Sequence, residues 1–221
     1  MMTQKKPKKP WPTKDAMQQV YAKELWGTGD SPFYSGEGSH LSIITKPYIE
    51  AVSFFLLSFE NPLVVCDLGC GDFNVGKEIV GFSKHYIAVD IVPELIVFNR
   101  EIYKMEGLSF QSLDIAQDKL PQADCALVRQ VLQHLSNKEI QNTLDTLYQY
   151  PYVIITEHIP NGVFLTNVDI ISGQGTRLKK GSGVDVEASP FYFDVIYKRE
   201  LCSVDLGGSL GTIRTTLFKL K

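Results

Sequence analysis

The sequence predicts an α/β fold, in which helices cover both faces of a doubly wound, largely parallel sheet. Three observations support this prediction. Apolar runs alternate with helix-like segments between residues 61 and 158, a pattern typical of right-handed crossovers between parallel strands. A glycine-rich turn follows the first apolar run, where such sheets bind ligands. Near the end of the chain, two strand-like runs flank a glycine-rich turn and indicate an antiparallel hairpin.

The elements follow in order along the chain. Helices are predicted over residues 13–25, capped by Thr13, and over 41–58, with a glycine- and hydroxyl-rich loop between them. Five parallel strands are predicted at 63–67, 86–90, 108–113, 123–128 and 152–156. Helices are predicted at 75–81, from Pro93 onward, from Ser136 or Asn137 to 148, and at 191–199. The hairpin strands are predicted at 201–206 and 212–220.

This pattern divides the chain into a disordered basic tail, residues 1–12, and a single domain, residues 13–221. We expect N-terminal helices and a loop in 13–60, a ligand-binding core in 61–158, and the terminal hairpin in 192–221. Residues 159–191 contain many glycines and little periodicity. A segment of this length without regular structure is typical of a lid or a binding segment.

Composition limits the function classes. The net charge is −3, so nucleic acid is an unlikely partner, although the lysines of the tail (Lys5, Lys6, Lys8 and Lys9) leave an RNA- or membrane-binding arm as an alternative to a solvated tail. No apolar stretch reaches the ~18–20 residues that span a bilayer. Four cysteines are too few for a disulfide framework and lack zinc-site spacing. We therefore expect a soluble cytoplasmic protein that binds no metal.

Acidic residues end the first two predicted strands and flank the glycine turn. Asp67 precedes Gly69 and Gly71, and Asp90 ends the second strand. A dinucleotide fingerprint would need a third glycine where Asn74 stands, and no phosphate-binding Gly-x-x-x-x-Gly-Lys motif is present. An acid at the end of the second strand can hold ribose hydroxyls. The sequence thus predicts a nucleoside-containing ligand other than a dinucleotide.

The Asp-x-Gly-x-Gly turn resembles that of class I S-adenosylmethionine-dependent methyltransferases, which have a Rossmann-like fold. Segments 66–74, 87–96 and 128–136 resemble a little-characterised family of small bacterial methyltransferase-domain proteins with a Cys-Gly-Asp-Phe-Asn turn. So does the Ser-Gly-x-Gly-Ser loop at 35–39, and the resemblance extends over residues 26–220. This chain departs from the family at Val75, where the family has Trp. The resemblance implies S-adenosyl-L-methionine as the cofactor and five parallel strands followed by a hairpin.

The resemblance also implies roles for eight cofactor-binding residues. The methionine half of the cofactor would contact Asp67, Gly69, Gly71, Arg129 and Gln130. Asp90 would accept the ribose hydroxyls, while Asp114 and the backbone N–H of Ile115 would bind the adenine. Four of these residues have structural alternatives. Asp67 and Asp90 could simply cap turns at the strand ends, Asp114 is also suited to a turn, and Arg129 to a surface ion pair. We interpret His134 as a structural histidine.

The acceptor side is predicted from its position after the fifth strand. Methyl transfer to a hydroxyl or amine needs alignment and loss of a proton. His158 is the candidate base, because its reference pKa lies near ~6.5, and Glu157 would either orient it or bind a polar acceptor. Tyr34, Asp169 and Arg177 are candidate substrate-binding residues. We expect a methyltransferase acting on a small molecule or a saccharide; a methyltransferase of RNA or protein and a non-catalytic cofactor-binding module are the alternatives.

Overall fold

A computed structural model describes residues 11–221, so the four lysines of the predicted tail lie outside the described residues. The α-helices are α1 (Thr13–Ala22), α2 (Ser42–Leu57), α3 (Pro93–Ile102) and α4 (Asn137–Leu147). The strands are β1 (Val64–Leu68), β2 (His85–Asp90), β3 (Leu108–Ser112), β4 (Cys125–Arg129), β5 (Tyr152–Ile159), β6 (Leu165–Thr166), β7 (Ser182–Gly183), β8 (Tyr197–Asp205) and β9 (Thr212–Lys219). None of the described helices is both long and apolar enough to cross a membrane.

Seven strands form one sheet, in the order β3-β2-β1-β4-β5-β9-β8. The first five strands run parallel, and β9 pairs antiparallel with both β5 and β8. The predicted five parallel strands and the C-terminal hairpin are therefore confirmed. The strand order reverses between β1 and β4, and such a switch point opens a crevice at the carboxyl ends of the strands.

The sheet is apolar on both faces, as expected for parallel strands covered on both sides. On one face, Val65 and Leu127 pack with Val52 and Phe55 of α2. On the other face, Cys66 packs with the apolar side of α4. Because both faces of the central strands β1, β2, β4 and β5 are buried, their polar side chains can reach solvent or a ligand only at the strand ends, whereas the edge strand β8 is largely exposed.

Two predicted helices are wrong, and aromatic residues explain both. The segment predicted as a helix at 75–81 forms two 3-10 turns, Gly76–Glu78 and Val80–Phe82. Its chain tightens around the fully buried Phe73, whose ring would lie 2.3 Å from a Cβ placed on Gly76. The helix predicted at 191–199 is absent, because alternate residues Phe191 and Phe193 enter the core.

β5 continues three residues past its predicted end. The antiparallel partner β9 extends the ladder of hydrogen bonds as far as Ile159, opposite Thr212. Glu157 and His158 therefore lie inside a strand and not in a loop after it. The extension depends on a partner more than 50 residues away, which the local sequence of β5 does not reveal.

The start of α4 anchors two distant segments of the chain. Ser136 and Glu139 form a capping box, which confirms Ser136 as one of the two predicted caps. The carboxylate of Glu139 also accepts hydrogen bonds from the hydroxyls of Thr13 and Ser172. Thr13 therefore binds α4 and does not cap α1, where Pro12 occupies the N-cap position. This contact places α1 and the glycine-rich segment beside the switch point of the sheet.

Candidate active site

A cavity lies at the carboxyl edge of the parallel strands, between the glycine turn after β1, the end of β2 and the segment after β4. All eight residues predicted to bind the cofactor line it: Asp67, Gly69, Gly71, Asp90, Asp114, Ile115, Arg129 and Gln130.

The glycine turn after β1 is held in a conformation that only glycine adopts without strain. Gly69 and Gly71 have φ values of +87° and +56°. A Cβ on Gly69 would lie 2.4 Å from Val131, and one on Gly71 would lie 2.4 Å from the Ser35 hydroxyl. The turn therefore packs closely on the segment after β4 and on the loop before α2.

Buried carboxylates surround this turn. Asp67 accepts a hydrogen bond from the Tyr86 hydroxyl at 3.0 Å, and burial raises its pKa to about 7 although that hydrogen bond and Arg129 oppose the rise. Asp90 accepts from the backbone N–H groups of Gly71 and Val92, each at 3.0 Å. Burial raises the pKa of Asp90 to about 6. The pKa values of both acids therefore lie close to neutral pH.

Unpartnered donors lie at the same end of the cavity as Asp67. The guanidinium of Arg129 lies 5.0 Å from the ring centroid of Tyr48 and donates to the Gly38 carbonyl. Its Nε and the side-chain Nε2 of Gln130 are buried and have no acceptor among the described residues. Gln130 has a φ of +55°, and strained backbone of this kind is common at binding sites. This end of the cavity therefore offers an acceptor, Asp67, for a cationic group and two donors, Arg129 and Gln130, for an anionic group.

The loop before α2 lies over the glycine turn. The Ser35 hydroxyl accepts from the backbone N–H of Asp72 at 2.8 Å, and the Asp72 carboxylate accepts from the Ser35 N–H at the same distance. The same carboxylate contacts His40 Nε2 at 2.6 Å. Tyr34 stacks on His40 with ring centroids 4.4 Å apart and lines a neighbouring cleft instead of this cavity.

The two residues predicted at the adenine also have local roles. The carboxylate of Asp114 accepts from the Ala116 N–H at 2.9 Å and from the Gln117 side chain at 2.6 Å. The turn alternative for Asp114 is therefore present in the structure, and the residue lines the cavity as well. Ile115 is 8% exposed and packs into the apolar core beside it.

Arg177 does not face a substrate. It is 1% exposed, and all five of its N–H groups are used. They donate to the carbonyls of Leu132, Gln133, Leu135 and Val168 and to Asn137 Oδ1. The substrate-binding prediction is corrected accordingly, because this guanidinium has no donor left to offer. Asp169 likewise accepts from the Asn137 N–H at 2.8 Å, at the start of α4.

Glu157 and His158 also lie away from the cavity. Glu157 is buried behind the turn that follows β4, and its Oε1 accepts from the Leu132 N–H at 3.1 Å. Burial raises the pKa of Glu157 to about 8, which leaves it largely neutral near pH 7. The His158 imidazole contacts the Leu210 carbonyl in the hairpin loop at 2.6 Å. Their predicted catalytic roles are therefore corrected: Glu157 and Arg177 hold the turn Leu132–His134 from two sides.

The turn that they hold carries residues into the cavity that sequence reasoning missed. Gln133 and His134 line the cavity together with Trp26 and Met17. His134 lies 5.0 Å from Trp26, measured between ring centroids. The segment 128–136 carries part of the family resemblance, but the sequence alone favours a structural role for His134. No pattern marked Trp26, because its place depends on how α1 packs against α4.

Comparisons with known proteins agree with this geometry at the level of the fold. No protein-family model and no curated protein sequence matches the chain. The N-methyltransferase NodS from Bradyrhizobium japonicum WM9, in complex with S-adenosyl-L-homocysteine, has a TM-score of 0.67 and 13% identity over 91% of this chain and 96% of that chain. Human N-acetylserotonin methyltransferase, in complex with S-adenosylmethionine, has a TM-score of 0.55 and 18% identity over 94% of this chain and 65% of its own.

Magnesium protoporphyrin IX methyltransferase from Synechocystis PCC 6803, with bound S-adenosylhomocysteine, is similar to a comparable degree. Its TM-score is 0.56 at 13% identity, covering 91% of this chain and 94% of that chain. Together with the strand order, these matches show that the chain has the class I methyltransferase fold, as the resemblance implied. At these identities the likeness establishes the fold alone.

We predict that Gly69→Ala lowers the free energy of unfolding by roughly 2 kcal/mol, because the new methyl group would overlap Val131 at a positive φ. Gly81→Ala is the matched control, since a Cβ there meets nothing within 4 Å. Urea denaturation measures both variants. Equal stability of the two variants would contradict the close approach of the turn to Val131.

We predict that Arg177→Met lowers the free energy of unfolding by about 3 kcal/mol or more, because it leaves several buried carbonyls without donors. Arg199→Met, at an exposed position of β8, is the control. Thermal and chemical denaturation give the difference. If the two variants were equally stable, Arg177 would not hold the turn as described.

Proposed function

We propose that the protein is an S-adenosyl-L-methionine-dependent methyltransferase that acts on a hydroxyl or amino group of a small molecule or saccharide. One observation carries the proposal. The buried carboxylate of Asp67, whose pKa is raised by burial and lowered in part by the nearby Arg129, lines one cavity with Arg129 and Gln130, whose buried Nε and Nε2 have no acceptor among residues 11–221. An amino-acid group satisfies this arrangement, because its ammonium needs an acceptor and its carboxylate needs donors.

The other end of the cavity suits a nucleoside. Asp90 has lone pairs left for ribose hydroxyls after accepting two backbone N–H groups. Asp114 and the apolar Ile115 line the cavity and would meet a purine. A dinucleotide would bring its diphosphate to the turn between Asp67 and Asp90, where buried acids repel phosphate. The buried acids beside the turn therefore favour adenosylmethionine over a nicotinamide or flavin dinucleotide.

The residues of the chain bind and align, while the sulfonium of the cofactor supplies an already activated methyl group. Asp67 would hold the ammonium, and Arg129 and Gln130 would hold the carboxylate. The aromatic rings of Tyr48 and Trp26 line the same cavity, and aromatic faces attract a neighbouring cation. The loop at Ser35, held to Asp72 by two hydrogen bonds, lies over the glycine turn at this end of the site.

A small acceptor is favoured by the concave shape of the site. The loop at 34–37 and the glycine-rich segment at 174–179 line a cleft together with Trp26 and His134. Two of the structurally similar enzymes are named for small acceptors, N-acetylserotonin and magnesium protoporphyrin IX. Clefts are typical of small-molecule sites.

We expect the wild type to bind S-adenosylmethionine and S-adenosylhomocysteine in calorimetric titrations. Asp90→Ala should weaken both ligands and adenosine by about tenfold or more, because it removes the ribose acceptor. Arg129→Met should weaken only the two ligands that carry the amino-acid group. Asp145→Ala, exposed on α4, should change nothing. Failure of a demonstrably folded wild type to bind either ligand would overturn the proposal.

The affinity for S-adenosylhomocysteine should fall as the pH drops below 7. Burial raises the pKa of Asp67 to about 7, so acidification neutralises the carboxylate that the ammonium needs. One coupled proton predicts a loss of about tenfold per pH unit. Titrations between pH 5.5 and 7.5 measure the slope, with Asp67→Asn and with adenosine as controls.

Neither control should show this step at pH 7, because the first lacks the acid and the second lacks the ammonium. Adenosine should weaken only below about pH 6, where Asp90 becomes protonated. An equal slope for adenosine and S-adenosylhomocysteine would remove Asp67 from the ammonium site.

A further inference from the structure

A second cleft joins the cofactor cavity. It runs between the loop at Tyr34–Glu37 and the segment at Gln174–Lys179, and it shares three lining residues with the cavity: Trp26, Ser35 and His134. The backbone N–H of Gly173 donates to the His134 carbonyl at 3.0 Å, and Gln174 donates to the Leu25 carbonyl at 2.7 Å. These contacts fix the glycine-rich segment as the wall of the cleft. His134 therefore stands where the two spaces meet.

Hydrogen bonds fix the tautomer of His134. Its Nδ1 lies 3.3 Å from the Gly175 carbonyl, which can only accept, so Nδ1 carries the proton. Nε2 is then the lone-pair nitrogen of the neutral ring. Burial lowers the pKa of His134 to about 4, so the ring stays neutral at physiological pH.

Gln133 confirms the direction of the lone pair. Its Oε1 accepts from the His158 backbone N–H at 3.3 Å, which turns its amide nitrogen toward His134 Nε2, also at 3.3 Å. Gln133 and His134 both line the cofactor cavity, and Nε2 is the ring nitrogen beside Gln133. At 3.3 Å the contact is long for a hydrogen bond, and a stronger donor in the cavity can take the lone pair.

We propose that the joined cleft is the acceptor site and that His134 Nε2 accepts a hydrogen bond from the group to be methylated. This assignment rests on the proposed function. It restricts the acceptor to a hydroxyl or an amine, which has a hydrogen to donate, and disfavours a carboxylate, whose oxygens would face a lone pair.

The transfer balances without any further reactant. The lone pair of the acceptor oxygen or nitrogen forms the bond to the methyl carbon, and the electrons of the broken carbon–sulfur bond remain on sulfur. The proton of the acceptor goes to water in the open cleft. His134 orients the nucleophile and does not keep the proton, because its pKa is too low to hold one at neutral pH.

The test uses cofactor analogues that carry the acceptor group with them. In these probes, nitrogen replaces sulfur, and the methyl group is replaced by a three-carbon arm that ends in a hydroxyl or in a carboxylate. Calorimetry measures both probes and S-adenosylhomocysteine on the wild type, His134→Ala and His134→Gln. His85→Ala is the matched control, because His85 begins β2 and so lies at the end of the strand away from Asp90. ¹⁵N NMR of labelled histidines reads the tautomer of His134 directly.

We expect the wild type and His85→Ala to prefer the hydroxyl arm by about five- to tenfold, the range of one hydrogen bond. His134→Ala should lose the preference while keeping its affinity for S-adenosylhomocysteine, and His134→Gln, whose amide oxygen accepts, should keep part of it. A carboxylate arm that binds equally well, a preference that survives His134→Ala, or a protonated Nε2 would each overturn the assignment. Failure of the wild type to bind S-adenosylhomocysteine would instead overturn the proposed function.

Discussion

The burial of carboxylates around one glycine turn is the constraint on which the rest of the site depends. Asp67, Asp72 and Asp90 are each 7% exposed or less, and buried charges are costly unless hydrogen-bonded or neutralised. Backbone N–H groups, the Tyr86 hydroxyl and the loop at Ser35 satisfy them in part. A ligand with hydrogen-bond donors and a positive charge would satisfy the carboxylate oxygens that remain. The raised pKa values of two of the acids have the same physical origin as their capacity to bind it.

The turn after β4 connects this demand to the acceptor side. Arg129 and Gln130 begin the segment at the proposed cofactor cavity, and His134, five residues after Arg129, ends it at the cleft. Glu157 and Arg177 fix its backbone from behind, one accepting from N–H and the other donating to carbonyls. Removing one partner of such a buried network leaves the others unsatisfied. Residues that resemble catalytic groups in the sequence therefore serve the catalytic geometry indirectly.

Segments far apart in the chain close the site. Glu139 at the start of α4 binds Thr13 of α1 and Ser172 of the glycine-rich segment, and these contacts bring Trp26 and the 173–179 wall to the cavity. The proposed cofactor and acceptor spaces thus meet at residues that are held in place through Glu139 of one capping box.

The sequence by itself determined the parallel sheet, the hairpin and the glycine turn with Asp67 and Asp90, because these depend on local periodicity and on acids placed at strand ends. The family resemblance, and not periodicity, indicated Asp114, Ile115, Arg129 and Gln130, which also line the cavity. The tertiary structure alone decided the roles of Glu157, His158, Asp169 and Arg177, each of which has a hydrogen-bond partner 25 or more residues away. It extended β5 through pairing with β9, and it replaced two predicted helices by turns and strands around buried phenylalanines. Such outcomes depend on long-range pairing and packing, and a linear pattern contains neither the register of a partner strand nor the direction of a side chain.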